Sequence, residues 1–195
     1  FILPLKILSL HNKAKLLMVI SALSFSFMAA IVKATDHSVV VKAFSRQIFS
    51  CFIVLIIIVI NGYKIIPLKK NRVKLMLRCL FGTLGIYFYF HSIDNLLLVN
   101  ASMLTRLSPF FVTLFALLIL KESIHYMSWL VYIPMIIGCI CIIKPTSELF
   151  NPASLLAVIS ACSGAMAYIM IKSIGREEST YTIIFWFTLI SSGIY

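Results

Sequence analysis

The chain has 195 residues, 62% of them hydrophobic and 12% charged, with a formal net charge of +11 and a mean hydropathy of +1.06. A soluble domain carries about 45–50% apolar and roughly 25% charged residues, so this balance excludes a water-soluble globule. An excess of Lys and Arg would suit a nucleic-acid groove only with aromatic side chains between the cations. Residues 65–78 hold no aromatic side chain, so membrane lipids, and not nucleic acid, are the expected partner of the basic run.

The apolar residues come in blocks near the ~20 residues that cross a ~30 Å hydrocarbon core. In chain order they cover residues 16–32, 44–60, 75–90, 96–120, 127–143, 153–171 and 181–195. None alternates strictly, and backbone groups in lipid must bond within their own segment, so each block predicts an α-helix rather than a barrel strand. Short connections make neighbours antiparallel. The chain opens on Phe1 rather than Met, and its last block stops at Tyr195 without a charged flank. Both ends are therefore expected to be cut, with the seventh span incomplete.

Lys and Arg resist translocation and collect on the cytoplasmic side. With the N-terminus inside, that side receives Lys6, Lys13, Lys15, Lys64, Lys69, Lys70, Arg72, Lys74, Arg78, Lys121, Lys172 and Arg176, and the other only Lys33, Lys42, Arg46 and Lys144. The expectation is a multi-pass protein of the cell (cytoplasmic) membrane with a cytoplasmic N-terminus. Cys51, Cys79, Cys139, Cys141 and Cys162 all fall inside spans, where a free thiol behaves as a small apolar group. Cys139 and Cys141 lie about 200° apart on a helix and cannot share an ion. No metal, cofactor or catalytic residue is expected.

An internal repeat organises the chain. LLMVISALSFSFMAAIVKA at 16–34 aligns without a gap on LLAVISACSGAMAYIMIKS at 155–173. Leu16, Leu17, Val19, Ile20, Ser21, Ala22, Ser24 and Lys33 meet identical partners in Leu155, Leu156, Val158, Ile159, Ser160, Ala161, Ser163 and Lys172. The copies are offset by an odd number of spans, so the second enters the membrane in the opposite direction. The expected fold is an all-α polytopic transmembrane helix bundle built from inverted five-helix repeats, the symmetry behind alternating access. Residues 1–145 form the first repeat and 152–195 the start of a truncated second one.

Pro109 removes a backbone N–H and so frees the carbonyl of Thr105, which predicts a kink in the fourth span. Gly82, Gly85, Ser160 and Gly164 are small residues that let helices approach closely. The stretch 77–122, with Arg78, Gly82, Gly85, Ala101, Ser102, Ser108, Pro109 and Glu122, resembles the drug/metabolite transporter superfamily with its EamA-type domains. Arg46, Gly138 and the Lys144-Pro145 pair fit the same pattern. The resemblance implies a carrier that moves small metabolites, amino acids or drugs without ATP, and no enzyme activity. Against it stand a non-transporting membrane protein, such as a decayed gene product or an assembly subunit, and a membrane-embedded lipid-modifying enzyme. The latter would cluster His and acids at one membrane face.

Arg106 is the first candidate for substrate binding. It lies about 9–15 Å inside its span, where a charge costs at least ~2.5–3.5 kcal/mol and so should face the bundle interior or water. It departs from the uncharged residue that the resemblance implies there. The acids are Asp36, Asp94, Glu122, Glu148, Glu177 and Glu178, all at or beyond span ends. Its partner is then a carboxylate from helices beyond this chain, an anionic group on a small-molecule substrate, or Asp94 reached by snorkelling. Asn100, His91 and Tyr87 are further candidates near the outer mouth, whereas Arg46 and Arg78 are expected to snorkel or meet lipid.

Overall fold

The computed structural model describes residues 3–121, 130, 132–134, 136–138, 152–175 and 177–195, with side chains from residue 12 onward. Every regular element among them is helical. Five are long and apolar enough to cross a membrane, within Asn12–Ala34, Val39–Asn61, Lys69–Asn95, Leu98–Ile119 and Pro152–Ile174, and Thr180–Ile194 is a shorter apolar helix. The chain is a multi-pass integral membrane protein. Most of the span expected at 127–143 lies outside the described residues.

The chain divides into two compact units, Phe1–Asp36 and His37–Tyr195. The first is a single helix, α1 (Leu3–Ala34). Its Ser24 and Ser26 hydroxyls, and that of Thr35 just beyond its end, donate to the carbonyls of Ile20, Ala22 and Ile31 at 2.9, 3.0 and 2.7 Å. Each hydroxyl is thus satisfied within its own segment and needs no water.

The second unit holds α2 (Val39–Asn61), α3 (Arg72–Asn95), α4 (Leu98–Thr105), α5 (Ser108–Ile119), α6 (Pro152–Ile174) and α7 (Thr180–Ile194). Its most extensive packing is α3 on α6, followed by α2 on α7. Small residues explain the first. α6 buries Ala153, Ala157, Ala161 and Ala165 at the four-residue spacing that forms one helix face. A Cβ on Gly85 would meet the Gly164 nitrogen at 3.4 Å and the Ser160 carbonyl oxygen at 3.6 Å. The Ser160 hydroxyl donates across the contact to the Gly85 carbonyl at 2.8 Å. Without a hydrophobic drive between helices in lipid, such close van der Waals contact and an interhelical hydrogen bond hold the pair.

Larger side chains fill the rest. Leu75 and Cys79 of α3 pack with Ile174, Ile183 and Phe187, Val54 and Ile58 of α2 pack with Phe185, and Ala116 of α5 packs with Ile169 and Met170. Where the kink is expected, the helix tightens locally, and Arg106 and Leu107 keep right-handed helical backbone. α4 ends at Thr105, and the Arg106 and Leu107 amides donate to the carbonyls of Met103 and Leu104 at 3.0 and 3.1 Å. These three-residue bonds wind the ladder more tightly for one turn, and α5 resumes at Ser108 with Pro109 in its first turn, where the missing N–H costs nothing.

Candidate functional site

Polar side chains gather where α2, α3 and α7 meet. On α3 the positions of Cys79, Thr83, Tyr87 and His91 recur every four residues and share one face. The Thr83 hydroxyl donates to the Cys79 carbonyl at 2.8 Å and shares a short hydrogen bond with Ser191 of α7. The phenol of Tyr195, which follows α7, donates to the Thr83 carbonyl at 2.6 Å. Together with Val40, Leu84 and Ile194, the residues Thr83, Tyr87 and Tyr195 line a cleft of about 190 Å³. The Tyr87 and His91 rings stack with centroids 6.3 Å apart.

Two half-buried arginines lie along this seam. Arg46 of α2 feels the Tyr195 phenol electrostatically, and its Nη1 donates to the Gln47 side-chain oxygen at 3.1 Å. Gln47 itself is only 1% exposed. Arg78 of α3 does not snorkel outward as expected. Its guanidinium lies over the Phe187 ring at 4.3 Å from the centroid, attracted by the ring quadrupole. Gly82 makes this arrangement possible, because a Cβ there would collide with the Arg78 Nη1 and come within 2.6 Å of Phe187.

The residues singled out from the sequence fall on two sides of α3. Tyr87 and His91 stack on each other and Tyr87 borders the cleft. Arg106 is exposed at the tight turn after α4 and stands within electrostatic reach of the Tyr89 phenol, which hydrogen-bonds Ser102. Tyr89 is about 200° round the helix from Tyr87. Asn100 is buried in α4. Asp94, the acid considered for Arg106, forms an ion pair with Lys42 at 2.7 Å. Thr83, Gln47, Ser191 and Tyr195 were not foreseen as part of a site. The four-residue spacing on α3 and the Arg46-Gln47 pair in an otherwise apolar span were the available signals.

A second polar cluster ties the end of the bundle where α3 begins. Lys70 pairs with Glu177 at 2.8 Å, the Asn71 amide donates to Glu177 and Glu178 at 3.1 and 3.2 Å, and the Leu68 N–H donates to Glu178 at 2.7 Å. Lys74 donates to the Ser173 carbonyl at 2.9 Å, at the last turn of α6. Thr182 and Trp186 of α7 donate to the carbonyls of Lys64 and Ile65 at 2.6 and 2.8 Å. Hydrogen bonds from Lys70 first, and then Asn71, hold the Glu177 carboxyl below the usual carboxylate range.

Residues 12–144 match the model of the EamA-like transporter family. The chain is 30% identical over 190 residues to a pseudopaline exporter of Pseudomonas aeruginosa, an alignment covering 95% of this chain and 66% of that protein. It is 27% identical over 150 residues to an S-adenosylmethionine uptake transporter of Rickettsia prowazekii, covering 77% of this chain and 51% of the relative. With the human solute carrier family 35 member G1 it shares 25% identity over 186 residues, covering 88% of this chain and 51% of the carrier. The chain thus spans just under two thirds of the first relative and about half of the other two. No solved structure matches it.

Proposed function

This chain belongs to the EamA-like transporter family, and from that premise we propose that it carries a small metabolite across the cytoplasmic membrane as a secondary carrier working by alternating access. The observation that carries the reading is the seam of hydroxyls and arginines between α2, α3 and α7. Lipid-facing helices gain nothing from such groups, and intramembrane charges mark solute paths. Tyr87 and His91 contact the solute from α3, while Asn100 and Arg106 do so from the α4 side. A tightened turn beside a charged residue, with Pro109 leaving the Thr105 carbonyl without its usual N–H partner, supports that second contact.

The mechanism rests on residues 1–145 and 152–195 acting as inverted repeats that rock against one another. The cation asymmetry supports a cytoplasmic N-terminus. In that orientation the cluster of Lys70, Asn71, Glu177 and Glu178 lies on the cytoplasmic side and bridges the two repeats. The test is flux into proteoliposomes containing the full-length protein, with a solute panel that begins with S-adenosylmethionine and pseudopaline, the solutes named for two relatives. Saturable uptake above that of empty liposomes is expected. No flux of any solute in either direction would favour the non-transporting reading.

A further inference from the structure

We propose that the α2–α3–α7 seam is an anion site, built by Arg46, Gln47 and Arg78, for a solute that carries a carboxylate-type group. This rests on the carrier reading above and adds the substrate class. The seam is rich in donors and short of acceptors. Among the described residues, the two buried side-chain polar atoms without a hydrogen-bond partner are Gln47 Nε2 and Arg78 Nε, and both are donors. A buried polar group left unpaired costs about 1–3 kcal/mol and more when charged, so a fold that keeps two in one seam leaves room for an acceptor to arrive.

Among the described residues, the carboxylates are engaged or exposed elsewhere. Asp94 is held by Lys42, Glu177 by Lys70 and Asn71, and Glu178 by the Leu68 amide and Asn71. Asp36 is exposed in the first unit, and Glu122 and Glu148 lie outside the described residues. Arg46 therefore leans on a neutral amide oxygen and Arg78 on an aromatic face, each a weak substitute for a carboxylate.

The two cations converge on one level of α3. Arg78 sits on Phe187 with its Nη1 beside Gly82, and the Tyr195 phenol that Arg46 feels bonds the Thr83 carbonyl, one residue further on. The Thr83 and Ser191 hydroxyls lie at the same level and add polar groups beside the charge. Arginine suits the role because its planar fork holds a carboxylate at two points.

The test measures binding apart from transport. The full-length protein in detergent micelles is titrated with α,ω-dicarboxylates from succinate to sebacate and, as controls, with their dimethyl esters. Thermal unfolding and calorimetry provide the readout. The diacids should bind, and their diesters should bind at least about tenfold more weakly, the scale of one charge-assisted hydrogen-bond pair. Arg46→Gln and Arg78→Gln should each cause a loss of similar size, with Arg→Lys recovering part of it.

Gln47→Glu guards against variants that merely misfold, because it supplies the missing acceptor within the chain. It should keep or raise the melting temperature while abolishing dicarboxylate binding. Equal binding of diester and diacid, or unchanged dicarboxylate affinity in a folded Gln47→Glu protein, would overturn the proposal. So would Arg-dependent stabilisation by short-chain phosphatidylglycerol without any by the diacids, since the site would then serve a lipid headgroup. Dicarboxylate binding without flux in proteoliposomes would uphold the anion site and sink the carrier reading. Flux of uncharged solutes by a protein that binds no dicarboxylate would do the reverse.

Discussion

At the scale of single residues, the two charges that invite a test are Arg106 and Glu177. If Arg106 contacts the solute, Arg106→Gln should lower flux about tenfold at equal insertion, the effect of losing a charge-assisted hydrogen bond of ~1.5–3 kcal/mol. Arg106→Lys should recover only part, since an ammonium keeps the charge without the fork. Normal uptake by Arg106→Gln would make the residue structural. For Glu177 the sign follows from its lowered folded-state pKa. The tie to Lys70 adds stability above the usual carboxylate range and loses it as pH falls through the lowered value. Unfolding of the wild-type protein followed from neutral to acid pH should therefore show a destabilisation on the acid side that Glu177→Gln lacks. Matching pH profiles for the two would refute the tie. The seam itself was only half legible. Arg46 and Arg78 were visible as charges within apolar runs, but that Arg78 lies on Phe187 depends on a residue more than a hundred positions later and on the side chain that Gly82 lacks.

Among the elements, the α3–α6 pair is where packing and hydrogen bonding can be weighed against each other. Gly85→Val would press a branched side chain on the Gly164 backbone and should destabilise by about 1–3 kcal/mol, the usual cost of overpacking. Ser160→Ala removes the hydrogen bond to the Gly85 carbonyl and should cost only about 0.6 kcal/mol, the average for such bonds between membrane helices. Melting curves in one detergent would rank the two, and a larger loss from Ser160→Ala would mean that hydrogen bonding governs the contact. The existence of the spans was readable because hydrophobic blocks of that length have no other soluble or membrane use. The small residues of this interface were readable too, as they carry their meaning locally. The partner of each helix was not, and neither was the form of the tight turn at Arg106. Pro109 announces only a missing N–H, whereas the two tighter bonds at Met103 and Leu104 depend on how the neighbouring turns settle.

For the whole molecule, orientation is the property that most needs measurement. Cysteines introduced by Lys69→Cys, three residues before α3, and Asn95→Cys, at its last residue, are separated by that helix, whose 24 residues span about 36 Å. In intact cells, a membrane-impermeant maleimide should label the Asn95→Cys protein and leave Lys69→Cys protected until the membrane is opened. The opposite pattern would invert the topology. One feature of the bundle also bears on how it is assembled. The residues that bind Glu177 and Glu178 precede them by 106 to 110 positions, so the connection between α2 and α3 is synthesised and inserted well before its counter-charges exist. During that interval its lysines face water and headgroups unneutralised, which is the state that retains a loop on the side where it was made. The arrival of α6 and α7 then neutralises part of that charge and ties the loop down, so this later hairpin acts as a lock on a topology already chosen.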